Sequence, residues 1–349
     1  MKPPGLKRRL QFIYATIAVS CLSWLAFDQI GGFNRTPTIR IALLGSTFDE
    51  DYIGASALKE HVERQTNGRL SVEIFPSGQY CGSPRECIDY MQSGALDVFM
   101  TTFGGLTLIY PEGQAFDLPY LFQNDEEAEC VLDGGAMDTL RQDVLAQVGM
   151  RFMVAGNTGG WRNFATTRRV VRSADDLKGV KIRTTASPIQ QELVRRLGAF
   201  PTPIAWSELY PALATGVVDG SKNSVQDIIS MRFEEQIKNI VLDRHSYMGA
   251  LWWYSDRRWQ TLSQEDKDII DEGFRQLSIV TRAAPKKSAA EGYRKFSAAG
   301  GVVYEPDQIE RESFTAIAQE MRTWYADRFG TEWLDHLDAA LKQCRSDKT

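Results

Sequence analysis

Residues 175–198 read DDLKGVKIRTTASPIQQELVRRLG, and residues 217–223 read VVDGSKN; together these stretches decide how the chain is organised. Residues 180–183 have the apolar-basic pattern of a short strand. Ser187 is placed to cap a helix, and Pro188 suits its first position. Ile189, Leu193 and Leu197 recur at helical spacing, and Gly198 ends the run. Arg183 therefore stands where a strand gives way to the start of a helix, the edge at which open α/β sheets bind ligands. An arginine beside a positive helix end favours an anion, and its planar fork fits a carboxylate with two parallel hydrogen bonds. The plainer reading of a lone arginine is a surface ion pair.

Outward from this stretch, strand and helix alternate. Residues 38–44 and 70–75 predict strands around a helix over 52–65. Pro84 opens a second helix that Gly94 closes, and residues 96–100 predict a third strand. Residues 117–122, DLPYLF, suit a crossing or covering loop better than a strand, because of the central proline. One or two helices follow over 128–148, then a strand over 150–155 and a glycine-rich turn over 156–162. Residues 237–242 and 248–254 predict two further strands. Residues 263–299 have the length and composition of one long helix, which Pro285 can kink. A short strand over 302–304 and helices over 314–329 and 332–342 close the chain. The alternation predicts a parallel α/β sheet with right-handed crossovers.

Three polar side chains fall just past predicted strand ends: Arg162 after GGW, Arg183, and Asn223 after VVDG. If their strands are parallel neighbours, they converge on one crevice as two guanidiniums and an amide, a site for a carboxylate. Each also has an ordinary alternative, a surface ion pair or a turn. Ser46, Thr47, Thr101 and Thr102 follow strand ends in the first half and can donate hydroxyl hydrogen bonds, or simply form turns. Trp161, Trp206, Trp252, Trp253 and Tyr254 can wall a pocket, although aromatic residues in strands more often fill a core. Glu208, between Trp206 and Leu209, reads as an acid that orders the pocket before it reads as a base.

The first residues differ from the rest. Lys2, Lys7, Arg8 and Arg9 precede an uncharged apolar run, so residues 1–27 have the layout of a secretory signal or an N-terminal anchor. The segment around Cys21 only faintly resembles a lipoprotein signal. Removing the four positive charges takes the formal net charge from −5 to −9, which argues against nucleic acid and anionic membrane surfaces as partners. Among the remaining cysteines, Cys81 and Cys87 are closest in sequence; a disulfide and free buried thiols both stay open. No metal-ligand spacing or nucleophile motif is present, and none of His61, His245 and His336 lies in a catalytic pattern, although His245 falls near a strand end. No cofactor is expected.

These residues carry a resemblance. FPSGQ at 75–79, RECIDYMQSGALDV at 85–98, DLPYLF at 117–122, GGWR at 159–162, DDLKGVKIR at 175–183, LGAFPTPI at 197–204 and ELYPALATGVVDG at 208–220 occur in the order seen in the DctP-type solute-binding proteins of TRAP transporters. The resemblance implies a periplasmic-binding-protein-like α/β fold: two lobes around a cleft, crossing hinge strands, and a long helix spanning both. It places lobe I at 38–158, completed by about 248–262. Lobe II is 159–247, completed by helices at about 314–345, and the spanning helix is 263–299. It implies domain closure over a small organic acid, with Arg183 as main clamp and Arg162 and Asn223 beside it. Delivery to membrane subunits from the periplasm follows from the same resemblance. One departure stands out: the family's D-G-x-E-N reads Asp219-Gly220-Ser221-Lys222-Asn223 here. The competing classes are an exported α/β enzyme acting on a carboxylate, which lacks an evident base, and a binding protein that feeds a membrane sensor.

Overall fold

The computed structural model describes residues 37–346, so the basic and apolar run at 1–27, with Cys21, lies outside the described residues. Nine strands form one mixed sheet: β1 (Thr38–Ala42), β2 (Ser71–Phe75), β3 (Val98–Thr102), β4 (Met150–Thr166), β5 (Lys181–Thr184), β6 (Phe200–Pro203), β7 (Gly220–Asn223), β8 (Asn239–Ser255) and β9 (Val302–Tyr304). Their order is β2-β1-β3-β8-β4-β7-β5-β6, with β9 beside β8. At one end β1 runs parallel to β2 and β3; at the other β5 runs parallel to β6 and β7. Between them β4 and β8 run antiparallel to each other along both halves of the sheet.

That central ribbon corrects two sequence expectations. Residues 156–162 are not a turn but the middle of β4, where Gly159 (φ 121°) and Gly160 (φ 94°) let the strand bulge and continue. Residues 237–242 and 248–254 are not two strands but one, β8. The polar run Asp243–Ser246 broke the apolar pattern, yet Asp243, His245 and Ser246 are buried within the sheet and only Arg244 is exposed. Asp243 accepts from the Phe164 amide at 3.0 Å, from Tyr120 Oη at 3.0 Å, and pairs with His245 Nδ1 at 2.8 Å. His245 accordingly lies inside β8, not at a strand end. The expected parallel pairing holds for the outer strands and for β9 beside β8, and not for the β3-β8-β4-β7 stretch between.

Helices cover both faces, among them α1 (Glu50–Gln65), α2 (Pro84–Ser93), α3 (Asp125–Asp133), α4 (Pro188–Arg196), α5 (Val225–Ser230), α6 (Gln264–Ala298) and α7 (Glu332–Ser346). Ser83 caps α2 through the Glu86 amide, and Gly94 ends it in the left-handed conformation. α4 begins at Pro188 as expected, but the Ser187 hydroxyl makes no cap and is buried without a partner. α6 runs unbroken for 35 residues, about 50 Å. Glycines permit its close packing: a Cβ on Gly273 would meet Leu58 of α1 at 2.5 Å, and one on Gly292 would meet Val225 of α5 at 3.0 Å. The helix thereby touches elements at both ends of the sheet. The loop at 117–122 is no strand; Tyr120 donates its amide to the His245 carbonyl at 2.8 Å. Both cysteine pairs are disulfides, Cys81–Cys87 and Cys130–Cys344, the second joining α3 to α7.

Candidate functional site

Arg183 lies inside β5, one residue before its end, beside Ser221 of β7, since Ile182 pairs with Gly220 in a parallel register. It is 5% exposed. Its Nε donates to the Ile204 carbonyl at 3.0 Å, and its guanidinium lies over the Trp206 ring, 5.6 Å from the centroid. Arg162, 6% exposed, follows the Gly159-Gly160 bulge and donates from Nη1 to the Lys222 carbonyl at 3.0 Å. Its strand runs antiparallel to β7, so the convergence expected from parallel neighbours is reached by a different route: the bulge turns Arg162 back toward β7. Asn223 donates from Nδ2 to Asp227 Oδ2 at 2.9 Å and accepts from Ser221 Oγ at 2.5 Å.

The two arginines lie close enough for the charge of Arg162 to be felt at Arg183. Burial first, and then Arg162, pull the Arg183 guanidinium down to about 9, still charged at neutral pH. Lys222, 2% exposed, is drawn down to about 7 by burial and by Arg162. Among the described residues, none of these three cations makes an ion pair. Arginine carries five N–H donors, and each of the two fills one on the protein. The unmatched charge is thus concentrated at one end of the sheet, facing the start of α5.

Acids gather on the other side. Asp227, in the first turn of α5, is raised to about 6 by loss of water, and Arg162 opposes the rise. Asp227 also raises Glu50 and Asp51, at the start of α1. Burial lifts Glu50 to about 7 and Asp51 well above the usual carboxylate range. Asp51 accepts from Thr158 Oγ1 at 2.8 Å, while its second oxygen is buried without a partner. Cations and acceptors therefore face each other across the start of α5.

The remaining sequence candidates separate. Thr101 is buried inside β3, with its hydroxyl accepting from Trp253 Nε1 at 2.8 Å; Thr102 caps the short helix Phe103–Leu106 through the Gly105 amide. Both therefore belong to strand β3 instead of following its end. Ser46 is tied to Asp49, and Thr47 is exposed. Trp161 donates from Nε1 to Asp125 at 2.7 Å and packs edge-on against Tyr247. Glu208 is exposed on a 3-10 turn and makes no side-chain bond among the described residues, so it orders nothing near the arginines. Trp252, Trp253 and Tyr254 are core. Asp227, Gln190, Glu50 and Asp51 were missed. For Asp227 the signal was present in Ser224-Val225-Gln226-Asp227, a capping box. Among the described residues no group of three or more histidine, cysteine, aspartate or glutamate side chains could hold a metal ion.

A mixed sheet with two parallel ends, crossing strands, a spanning helix and buried arginines without ion pairs on the strands either side of β7 defines a periplasmic-type solute-binding protein. The family model for bacterial extracellular solute-binding protein, family 7 (DctP), matches residues 46–327, and the chain belongs to that family. It is 28% identical over 306 residues to a sialic acid-binding periplasmic protein of Vibrio cholerae, covering 87% of this chain and 94% of that one. It is 26% identical over 299 residues to the C4-dicarboxylate-binding periplasmic protein of Rhodobacter capsulatus, covering 83% and 86%. A TRAP periplasmic solute-binding protein from Polaromonas, solved with D-erythronate bound, superposes with a TM-score of 0.81 at 28% identity, covering 87% of this chain and 98% of that one.

Proposed function

We propose that this protein captures a small organic acid outside the cytoplasmic membrane and passes it, unaltered, to the membrane subunits of a TRAP transporter. The observation that carries the reading is the pair of buried guanidiniums, Arg162 and Arg183, with most of their donors unfilled and no carboxylate paired to them among the described residues. A carboxylate supplied by a ligand fits both the charge and the geometry. Asn223 and the Trp206 shelf hold that end of the site in place. The acceptors at Glu50 and Asp51 suit a ligand whose other end carries hydroxyl groups, which agrees with the hydroxy acid bound to the Polaromonas relative. The lobes divide near residues 158 and 247, so that β4, β8 and α6 bend as the halves close. The family consists of binding proteins, and the reading needs no catalytic base. Among the described residues no helix is long and apolar enough to cross a membrane.

A thermal-shift panel of organic acids tests it, because a ligand selective for the folded state raises the melting temperature by mass action. At least one acid is expected to raise it in the wild type and to have no effect on Arg162→Ala. Amines or neutral sugars giving the only shifts would contradict the reading.

A further inference from the structure

The strand β7 carries Lys222, whose surroundings are unlike those of a structural lysine. Lys222 is almost completely buried. Its ammonium has three donors, and among the described residues they find one acceptor, Gln190 Oε1 at 3.2 Å, which Thr185 Oγ1 also approaches at 3.1 Å. The nearby acids are already engaged elsewhere. Asp117 accepts from Gln190 Nε2 at 2.7 Å and from Ser246 Oγ at 2.9 Å. Asp243 holds His245, Tyr120 and the Phe164 amide.

A buried lysine that only supports a fold is paired or fully hydrogen-bonded, because a stripped ammonium is otherwise strongly unfavourable. Lys222 is instead flanked by Arg162, whose guanidinium is bonded to the Lys222 carbonyl, and by Arg183. Successive residues of a strand point to opposite faces. Ser221 and Asn223 share one face of β7, while the Lys222 side chain leaves from the other and reaches Gln190 of α4. The charge is therefore added to the arginine pair from a second direction.

We propose that Lys222 is a specificity-determining residue of this acid site: it supplies a third cation that selects ligands bearing a second acidic group over monocarboxylates. The proposal rests on the reading of Arg162 and Arg183 as the acid clamp and names the ligand class for it. Two guanidiniums suffice for one carboxylate. A third desolvated cation is matched only when the ligand brings more negative charge. The groups that face Lys222 are Arg162 on β4, Arg183 on β5, Gln190 on α4, Asp117 at the start of the 117–122 loop, and Asp243 with His245 on β8. These groups leave the ammonium poised near pH 7, and an arriving dianion strengthens its hold on the proton. Binding of a diacid then takes up a proton, and affinity falls as pH rises above about 7.

The test is calorimetry on the full-length protein with two four-carbon probes, the hydroxy monoacid erythronate and the hydroxy diacid tartrate, at pH 6.5 and 8.5, for wild type and Lys222→Met. Wild type is expected to bind tartrate about 10-fold or more tightly than erythronate, with the preference shrinking at pH 8.5. Lys222→Met, which keeps the length and apolar stem, is expected to lose both the preference and its pH dependence. Tartrate binding no more tightly than erythronate in the wild type, whether both bind or neither does, overturns the proposal. So does an unchanged ratio in Lys222→Met. The clamp reading is judged separately: a monocarboxylate that binds wild type and is lost in Arg183→Ala keeps that reading while this proposal falls.

Discussion

A carboxylate stripped of water holds its proton to a higher pH in the folded protein than in the unfolded chain, and Glu50 is the clearest case here. Buried at the start of α1, it is raised to about 7 from an ordinary value near 4.5, chiefly by desolvation and then, against its own backbone hydrogen bond, by Asp227 and Asp49. Between those two values the folded state binds the extra proton, so stability is fullest below about pH 4.5 and declines as pH rises through 7. Glu50→Gln removes the titration. It is expected to be more stable than wild type at pH 8, by on the order of 2–3 kcal/mol, with the difference closing toward pH 4.5. Urea melts at several pH values check this; a difference independent of pH would contradict it. Residues of this kind could not be read in advance. Arg183 was legible because a strand pattern, a proline and a helical repeat bracket it. Glu50 and Asp51 lie just before the expected helix start and carry no local signal, and only the fold brings Asp227 near them.

At the scale of elements, the bulge in β4 does the positioning. Gly159 has φ 121°, and a Cβ there would stand 2.5 Å from Ser224 Oγ at the cap of α5. Gly159→Ala is expected to destabilise by about 1–3 kcal/mol through backbone strain and to weaken acid binding, because the bulge aims Arg162. Gly179→Ala has positive φ but open space around it, so it separates strain alone from misplacement. Equal loss of binding in both variants would contradict the positioning role. Sequence periodicity found most helices, including α6 from end to end, since apolar spacing over many residues is hard to mistake. It misread β4 and β8 for one shared reason. Glycine in the first, and buried hydrogen-bonded polar residues in the second, interrupt the pattern without interrupting the strand.

Across the whole molecule, the sheet halves are joined by β4, β8 and α6, and the C-terminal helix returns to the first half. The Cys130–Cys344 disulfide fixes that return over a separation of 214 residues. Closing so long a loop restricts the unfolded chain, so Cys130→Ser/Cys344→Ser is expected to lower stability by about 2–5 kcal/mol while leaving acid affinity within a few fold, since neither cysteine adjoins the arginines. Denaturant melts paired with ligand titration check both parts; a large loss of affinity would contradict the second. Sequence distance hid this pairing, which depends on α7 packing on α3. The two-lobed plan was legible from ordered motifs, whereas the antiparallel approach of Arg162 depends on strand direction, which no local pattern encodes. The most direct measurement is isothermal calorimetry with the best acid from the thermal-shift panel, comparing wild type with Arg183→Ala at neutral pH. An affinity lower in the variant by roughly 30-fold to a few thousand-fold, with its circular dichroism unchanged, is the predicted result. Unchanged affinity in a folded Arg183→Ala protein would contradict the claim that the buried arginines hold the acid.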